Sequence, residues 1–381
     1  MLKVLELFGG IGACTNALRN LLIPFKLIDY VEIDKFAVES YNAMYGTNFE
    51  PQDITTWDKD IDVDLIMHGS PCQDFSLAGK QAGGDKNSGT RSSLMWHTVR
   101  IVEKLKPKYV IWENVKNILS KKHRHNFDEY LNKMDQLGYA NYYQVLNAKD
   151  YGIPQNRERV FTVSIRNDID KTINFKFPPK QELKLRLANL LENDVDEKYY
   201  LSDDKVEKLK FNKHVSKGNC CDIDRLYGIF DTDESQYQSG SVYNKNGLSP
   251  SISAMQGGWS QPCIEIKNGT KKGYQEAYKG DSVNLAFPND DNRRARVNHN
   301  ISNTLQCSDS MGVVVSQPLR IRKLTPKECW RLMGFSDFDF EKAEKVNSNT
   351  QLYKQAGNSI VVNVLEYIFE ELFNANKTSN D

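Results

Sequence analysis

Across the first 165 residues, short apolar runs alternate with segments of helical spacing, and this alternation limits the fold more than any other feature. Residues 3–8 form an apolar, β-compatible run that breaks into Gly9-Gly10-Ile11-Gly12. Ala13, Ala17, Leu18, Leu21 and Leu22 then recur at helical spacing until Pro24. The unit reads as strand, glycine turn, helix. Further strands are predicted over 25–31, 63–67, 109–112, 142–146 and 160–165, and Gln52-Asp53-Ile54 reads as another strand end. Between them lie a helix carrying Phe36, Tyr41 and Met44, one over 93–105, and one carrying Phe127, Tyr130, Leu131, Met134 and Leu137. Such alternation predicts an α/β protein with a mainly parallel sheet and helices on both faces.

Open α/β sheets bind ligands beyond the carboxyl ends of their strands, and the residues with chemistry cluster there. The glycine turn allows close backbone approach, and the helix after it offers unpaired N–H groups. Glu32, 20 residues beyond Gly12, stands where an acid meets ribose hydroxyls in a nucleotide site. Thr15 replaces the third glycine of a dinucleotide fingerprint, which counts against a nicotinamide enzyme; a turn without a ligand is the plain alternative. Asp53 reads either as an acceptor for an adenine amino group or as a turn aspartate. After strand 63–67 comes Gly69-Ser70-Pro71-Cys72-Gln73-Asp74-Phe75-Ser76, where proline stops the ladder and leaves a thiol at the strand end. A lone cysteine is more often a small buried hydrophobe than a nucleophile; its neighbours carry the case. The glycine-rich passage 77–91 beside it is expected to be mobile. Glu113-Asn114-Val115 ends strand 109–112, and Gln155-Asn156-Arg157-Glu158-Arg159 opens the strand over 160–165.

Net charge is zero, so nucleic acid can be held only by local basic patches. Seven cysteines without Cys-x-x-Cys spacing suggest neither a zinc site nor a disulfide framework. With no signal peptide ahead of the first strand and no apolar run near the roughly 20 residues that span a bilayer, the expectation is a soluble cytoplasmic protein without membrane contact.

From Pro178-Pro179 the sequence turns polar and turn-rich, and regular structure returns after Arg320. Three stretches are therefore expected: a catalytic and cofactor-binding part over 1–178, a small irregular domain over 179–318, and a return to the first domain over 319–381. Within the small domain, 247–253 and 300–306 echo one another, and Arg293-Arg294-Ala295-Arg296 is its densest basic cluster. Thr325-Pro326-Lys327-Glu328 reads as a helix start, and a broad apolar stripe predicts a last helix from about 359.

If the substrate is a pyrimidine base such as cytosine, alkylating its C5 requires activation, because C5 is a poor nucleophile. A thiolate adding to C6 turns the C5–C6 bond into an enamine. An acid at N3 keeps charge off the ring, and Glu113 could serve; Arg157 and Arg159 could hold O2 or a phosphate and lower the thiol pKa. The ring is unreachable inside a duplex, so the base must be flipped out.

In this order along nearly the whole chain, the motifs resemble those of the bacterial and phage cytosine-C5 DNA methyltransferases. Phe8-Gly9-Gly10-Ile11-Gly12 is similar to the cofactor turn of that family, Glu32 and Asp53 to its ribose and adenine acids, and Pro71-Cys72-Gln73 with Phe75-Ser76 to its nucleophile motif. Glu113-Asn114-Val115, Gln155-x-Arg157-x-Arg159, Arg322-Lys323-Leu324-Thr325-Pro326 with Arg331-Leu332-Met333-Gly334-Phe335, and Gly357-Asn358-Ser359 complete the set. The resemblance implies a Rossmann-like S-adenosylmethionine-dependent methyltransferase sheet with an inserted small, mostly β or irregular target-recognition domain. It implies catalysis by Cys72, Glu113, Asn114, Arg157 and Arg159, and cofactor binding by Phe8, Gly10, Gly12, Glu32, Ile33, Asp53, Ile54, Pro71, Asn358 and Ser359. Contacts to double-stranded DNA are expected from Ser76, Arg91, Gln155, Gln238, Ser251, Ile252, Arg293, Arg294, Arg296, Thr304 and Leu305. The implied cofactor is S-adenosylmethionine, leaving S-adenosylhomocysteine, with no metal. A monomer is expected, in a bacterial cell or encoded by a phage, with a cognate restriction endonuclease as a further partner.

The sequence departs from the family at Ala13, where many members have glycine, and in the slightly long 77–91 loop. The family usually shows one Thr-Leu dipeptide near the flipped base; Thr304-Leu305 matches it, and Ser251-Ile252 is a conservative analogue. Thr304-Leu305 is the expected choice. The transfer-RNA branch of the fold, with its Cys-Phe-Thr signature and little recognition domain, fits less well. A catalytically silent DNA-binding relative is countered by the presence of both Cys72 and Glu113, and a scaffold reading predicts neither cofactor nor DNA binding.

Overall fold

In a computed structural model, the protein is described over residues 1–71, 74–75, 83–86, 88–171, 173–200, 225–228, 241–243, 245–252, 263–266, 282–284, 297–298, 311–313 and 320–374. The glycine turn separates β1 (Leu2–Leu7) from α1 (Ala13–Asn20), and β2 (Phe25–Val31) leads into α2 (Lys35–Tyr45). Then come β3 (Leu65–His68), α3 (Met95–Leu105), β4 (Tyr109–Val115), α4 (Arg124–Gln136) and β5 (Tyr139–Asn147). After β6 (Gln155–Asn156), β7 (Glu158–Arg166) enters the sheet, and a short α5 (Asn167–Asp170) follows.

The main sheet has the order β2-β1-β3-β4-β7-β5. Strands β1 to β4 pair in parallel, whereas β7 runs antiparallel to both β4 and β5. Val4, Leu5, Leu65, Ile66, Val110, Ile111, Val163 and Ile165 are fully buried, as near-continuous apolar strands covered on both faces should be. Only the reversed β7 departs from a parallel sheet. Its reversal puts the start of that strand, with Arg159, beside the end of β4: Val115 pairs with Arg159 and Glu113 with Phe161.

Residues 52–54 are not a strand end. Asp53 accepts from the Thr55 amide at 2.8 Å, and its own carbonyl accepts from Thr56 and Trp57, so the aspartate shapes a turn.

The chain closes with α6 (Pro326–Arg331), α7 (Asp337–Glu344), α8 (Asn349–Asn358) and α9 (Val362–Asn374). The last helix starts later than expected because Ser359, with φ −75° and ψ 161°, caps α8 in an extended conformation. Gln355 of α8 accepts from the Ser40 hydroxyl at 3.0 Å and donates to the Phe36 carbonyl at 2.9 Å, while Lys354 pairs with Asp34 at 2.7 Å. Together these bonds dock α8 on α2. On α9, Leu365, Ile368, Phe369 and Leu372 are buried, and Glu366 accepts from Asn20 of α1 at 2.7 Å.

Chain contacts define two units: Met1–Leu190 with Ser249–Gly258 and Pro326–Asp381, and Leu191–Leu248 with Trp259–Thr325. In the smaller unit, β8 (Arg225–Gly228), β9 (Ser241–Tyr243), β11 (Cys263–Ile266) and β15 (Arg320–Lys323) form a four-stranded sheet. A three-stranded sheet joins β12 (Ser282–Asn284), β13 (Val297–Asn298) and β14 (Met311–Val313). Intervening β10 (Ser249–Pro250) instead pairs in parallel with β6, so this segment belongs to the larger unit rather than lying inside one small domain over 179–318. Among the described residues, no helix is long and apolar enough to cross a membrane.

Candidate active site

The glycine turn after β1 is fitted closely to its surroundings. A Cβ on Gly9 would stand 2.5 Å from the Tyr30 ring, and one on Gly12 2.5 Å from that of Tyr41. Gly10, at φ 52°, has nothing within 4 Å on that side. Tyr30 donates to the Gly10 carbonyl and Tyr45 to that of Gly12, so aromatic hydroxyls fasten the turn from below. Phe8 adopts φ 52°, a left-handed conformation costing a non-glycine residue ~1–2 kcal/mol. Such outliers concentrate where a site requires them.

Glu32 accepts from the Gly10 amide at 3.1 Å through one oxygen and from the Asp34 amide at 2.8 Å through the other. The carboxylate keeps acceptor capacity beyond its backbone bonds, which suits ribose hydroxyls. Burial raises its pKa despite opposing amide bonds from Asp34, Gly10 and Ile33. Beside it, Ile33 is 67% exposed, an apolar side chain at the mouth of the site, whereas Ile54 is buried. Asn358 is exposed and Ser359 buried. A carboxylate with spare acceptor capacity, an uncovered apolar side chain and an open glycine turn fit an adenosine-bearing cofactor.

At the far end of β4, Glu113 is 8% exposed and its Oε1 lies 3.1 Å from Arg159 Nε. The pair is diagonal on one face of the antiparallel β4–β7 ladder. Burial pushes the Glu113 carboxyl above its ordinary range, outweighing the opposing fields of Arg159 and Arg157. Its Oε2 lies 3.7 Å from where a Cβ on Gly69 would stand, so the turn leaving β3 passes directly against the carboxyl. Asn114 is buried, with Nδ2 3.4 Å from the Ser70 carbonyl and Oδ1 accepting from the Val115 amide at 2.8 Å.

Arg157 ties separate segments together. Its guanidinium donates to the carbonyls of Ile252 at 2.7 Å, Gly357 at 3.0 Å and Ser359 at 2.9 Å, and lies 3.4 Å from the Ser251 hydroxyl. Gln155 is fully buried, donating to the Leu332 carbonyl at 2.7 Å and accepting from the Ile252 amide at 3.2 Å. Its amide is thus engaged with protein at both ends, a different placement from the DNA contact expected of it.

Arg91 is exposed at the start of a 3-10 turn, and Pro71 is half-buried. Cys72, Ser76, Gln238, Arg293, Arg294, Arg296, Thr304 and Leu305 lie outside the described residues. Sequence reasoning missed Glu6. This buried carboxylate on β1 accepts from the Thr15 hydroxyl at 2.7 Å and the Thr15 amide at 3.2 Å, so the residue replacing the third glycine completes a polar network beneath the turn. An acid inside an otherwise apolar strand, followed by threonine in the next helix, was the available signal.

The fold and this cluster are those of an α/β protein with a nucleotide-type turn, and comparison with known proteins narrows the class. The family profile described as C-5 cytosine-specific DNA methylase matches residues 2–374, and the chain belongs to that family. It is 33% identical to the orphan methyltransferase M.SPBetaI of Bacillus phage SPbeta, with 97% of each chain covered. To the type II methyltransferase M.HhaI of Haemophilus parahaemolyticus it is 32% identical, over 96% of this chain and 93% of that one. Among solved structures, the Dnmt2 methyltransferase of S. pombe shares the fold with a TM-score of 0.62 at 17% identity, over 100% of both chains. The protein is an S-adenosylmethionine-dependent DNA cytosine-5 methyltransferase, with DNA as its substrate.

Proposed function

We propose that the protein flips a cytosine out of duplex DNA, adds Cys72 to C6 and methylates C5 within a short specific sequence. The buried Glu113 carboxyl, paired with Arg159 and facing the turn that leads to Cys72, carries this reading. Protonated Glu113 donates to N3, which keeps negative charge off the ring as the sulfur–C6 bond forms. Arg159 holds Glu113 and the base; Asn114 and Arg157 brace the strand end and the returning 357–359 segment. S-adenosylmethionine supplies a methyl group on a positively charged sulfur. The enamine pair at C5 takes that methyl group; loss of the C5 proton to solvent then sends its bonding pair into the C5–C6 double bond as the sulfur–C6 bond breaks, N3 returns its proton to Glu113, and Cys72 is regenerated. The family resemblance gives no metal a part in these steps, and S-adenosylhomocysteine is the by-product.

The turn residues Phe8, Gly10 and Gly12, with Glu32, Ile33, Asp53, Ile54, Pro71, Asn358 and Ser359, are assigned to the cofactor. The smaller unit is assigned to target recognition, with Arg91, Ser76, Gln238, Arg293, Arg294, Arg296, Thr304 and Leu305 as DNA contacts. Of the two dipeptides, Ser251-Ile252 takes the place beside the flipped base, in preference to Thr304-Leu305, because Arg157 bonds it within the larger unit. If Thr304→Ala cut rate and DNA affinity while Ser251→Ala changed neither, the choice would revert. Its relatives are named type II and orphan methyltransferases of bacteria and phages, which supports a place either beside a cognate restriction endonuclease or in a phage genome; the reading also takes the bacterial cytoplasm as its location and a monomer as the working unit.

Bisulfite sequencing of DNA incubated with protein and S-adenosylmethionine tests the reading. Protected cytosines in one repeated context, absent with Cys72→Ala, are expected. DNA binding without protection points to a silent relative, and neither activity points to transfer RNA.

A further inference from the structure

We propose that Ser70 is a positioning residue for the reaction, its hydroxyl joining the turn after β3 to the end of β4. It thereby fixes the direction in which the chain runs on to Cys72. The inference rests on the reading of Cys72 as nucleophile and assigns its geometry to a residue outside the matched motifs.

The observations form a chain of contacts. Ser70 is buried, and its hydroxyl oxygen accepts from Trp112 Nε1 at 2.9 Å. An indole has one N–H to give, and a buried donor without an acceptor is costly. The direction of that N–H is fixed by the rings around Trp112. Its ring lies 4° from parallel with His68 at 5.8 Å, 4.2 Å from the Tyr130 ring and 5.8 Å from Phe127. His68 sits in register opposite Trp112 and meets the Tyr130 hydroxyl at 3.2 Å. Burial lowers its pKa to about 3, so the cluster stays neutral across the working range. A rigid aromatic block thus aims one donor at one hydroxyl.

Asn114, two residues along the same strand and on the same face as Trp112, also reaches this serine, with Nδ2 3.4 Å from its carbonyl and 3.5 Å from its hydroxyl oxygen. Gly69 lies against Glu113, and Ser70 against Asn114. The turn leaving β3 is therefore tied at two successive residues to the strand end carrying the carboxyl. Misplacing a reacting group by about 1 Å can cost 10²-fold in rate, so this bond should register in catalysis.

The test uses a duplex with 5-fluorocytosine at the site found by bisulfite mapping. After methyl transfer, C5 bears fluorine and no proton, so Cys72 cannot be eliminated and the covalent adduct accumulates. Ser70→Ala is expected to slow adduct formation and kcat at least tenfold, leaving Kd for DNA and for cofactor within twofold. Ser70→Thr keeps the hydroxyl and should recover the rate to within threefold of the natural protein. Trp112→Phe should slow the reaction similarly, and adding Ser70→Ala to it should cost little more. A Ser70→Ala protein within twofold of the natural rate, a Ser70→Thr protein as slow as Ser70→Ala, or a rate loss matched by lost DNA affinity would each overturn the inference. If Ser70→Ala fails to fold, Trp112→Phe decides by the same criteria. No adduct with the natural protein would instead remove the nucleophile reading, and this inference with it.

Discussion

Replacing Arg157 by methionine keeps an unbranched apolar stem, shorter than that of arginine, and removes its donors. The carbonyls of Ile252, Gly357 and Ser359, at 2.7, 3.0 and 2.9 Å, then lose that partner. Each buried acceptor left unmade costs ~1–3 kcal/mol, or roughly 3–9 for three. Water entry, local relaxation and removal of a buried cation reduce this to about 3–5 kcal/mol, in the range measured for broken buried charge networks. Such a loss is a large part of the 5–15 kcal/mol that typically holds a protein folded. At roughly 2–4 °C per kcal/mol, the melting temperature should fall by about 6–20 °C, read by circular dichroism. Arg157→Lys should recover little, because one ammonium lacks the planar fork that reaches carbonyls from separate segments. A destabilisation below about 1 kcal/mol would refute the reasoning, since it would mean that the three carbonyls find other partners at no cost.

Glu113→Gln should reduce kcat by about 10²–10⁴-fold. Because burial raises its pKa, the natural enzyme should lose activity only as pH rises past that raised value, and the variant should lack this limb in a kcat–pH profile. For Asp339, burial pushes the pKa up, but hydrogen bonds from Arg19, Ser336 and Asn16 win and lower it from 3.8. Its stabilisation is therefore present above the ordinary carboxylate range and lost as pH falls through the lowered value; Asp339→Asn should cost about 3 kcal/mol at neutral pH and less in acid, by urea unfolding. Ile33→Ala should raise the cofactor Kd about five- to tenfold in a calorimetric titration, as expected for ~1 kcal/mol of apolar contact. An unchanged Kd would remove Ile33 from the site.

The β1–turn–α1 unit was legible because the apolar period changes from strand to helix at the glycines. Glu32 and Glu113 were legible because each follows or ends an apolar run. The direction of β7 was not, since a fully buried strand has the same composition whichever way it runs. Asp53 could be read at a strand end or as a turn aspartate, and only its bond from the Thr55 amide decides for the turn. Gln155 and Ser251-Ile252 were singled out by motif resemblance alone, which does not give the bonds they make within the protein. Their partners, Leu332 and Arg157, are far away in sequence, and no local pattern encodes a bond spanning 177 or 95 residues.

The segment from Ser249 to Gly258 has a consequence for exchanging specificity between relatives. The chain leaves the larger unit, returns for this one stitch, and leaves again before Pro326. A chimera joined only at the outer boundaries would import a foreign stitch against the native Gln155 and Arg157, whose bonds to Ile252 run through backbone atoms. Backbone bonds tolerate changes of side chain but not of length or path. Grafts that keep the native 249–252 segment, and exchange the stretches on either side of it as two separate cassettes, should therefore yield folded hybrids more often than exchange of a single block.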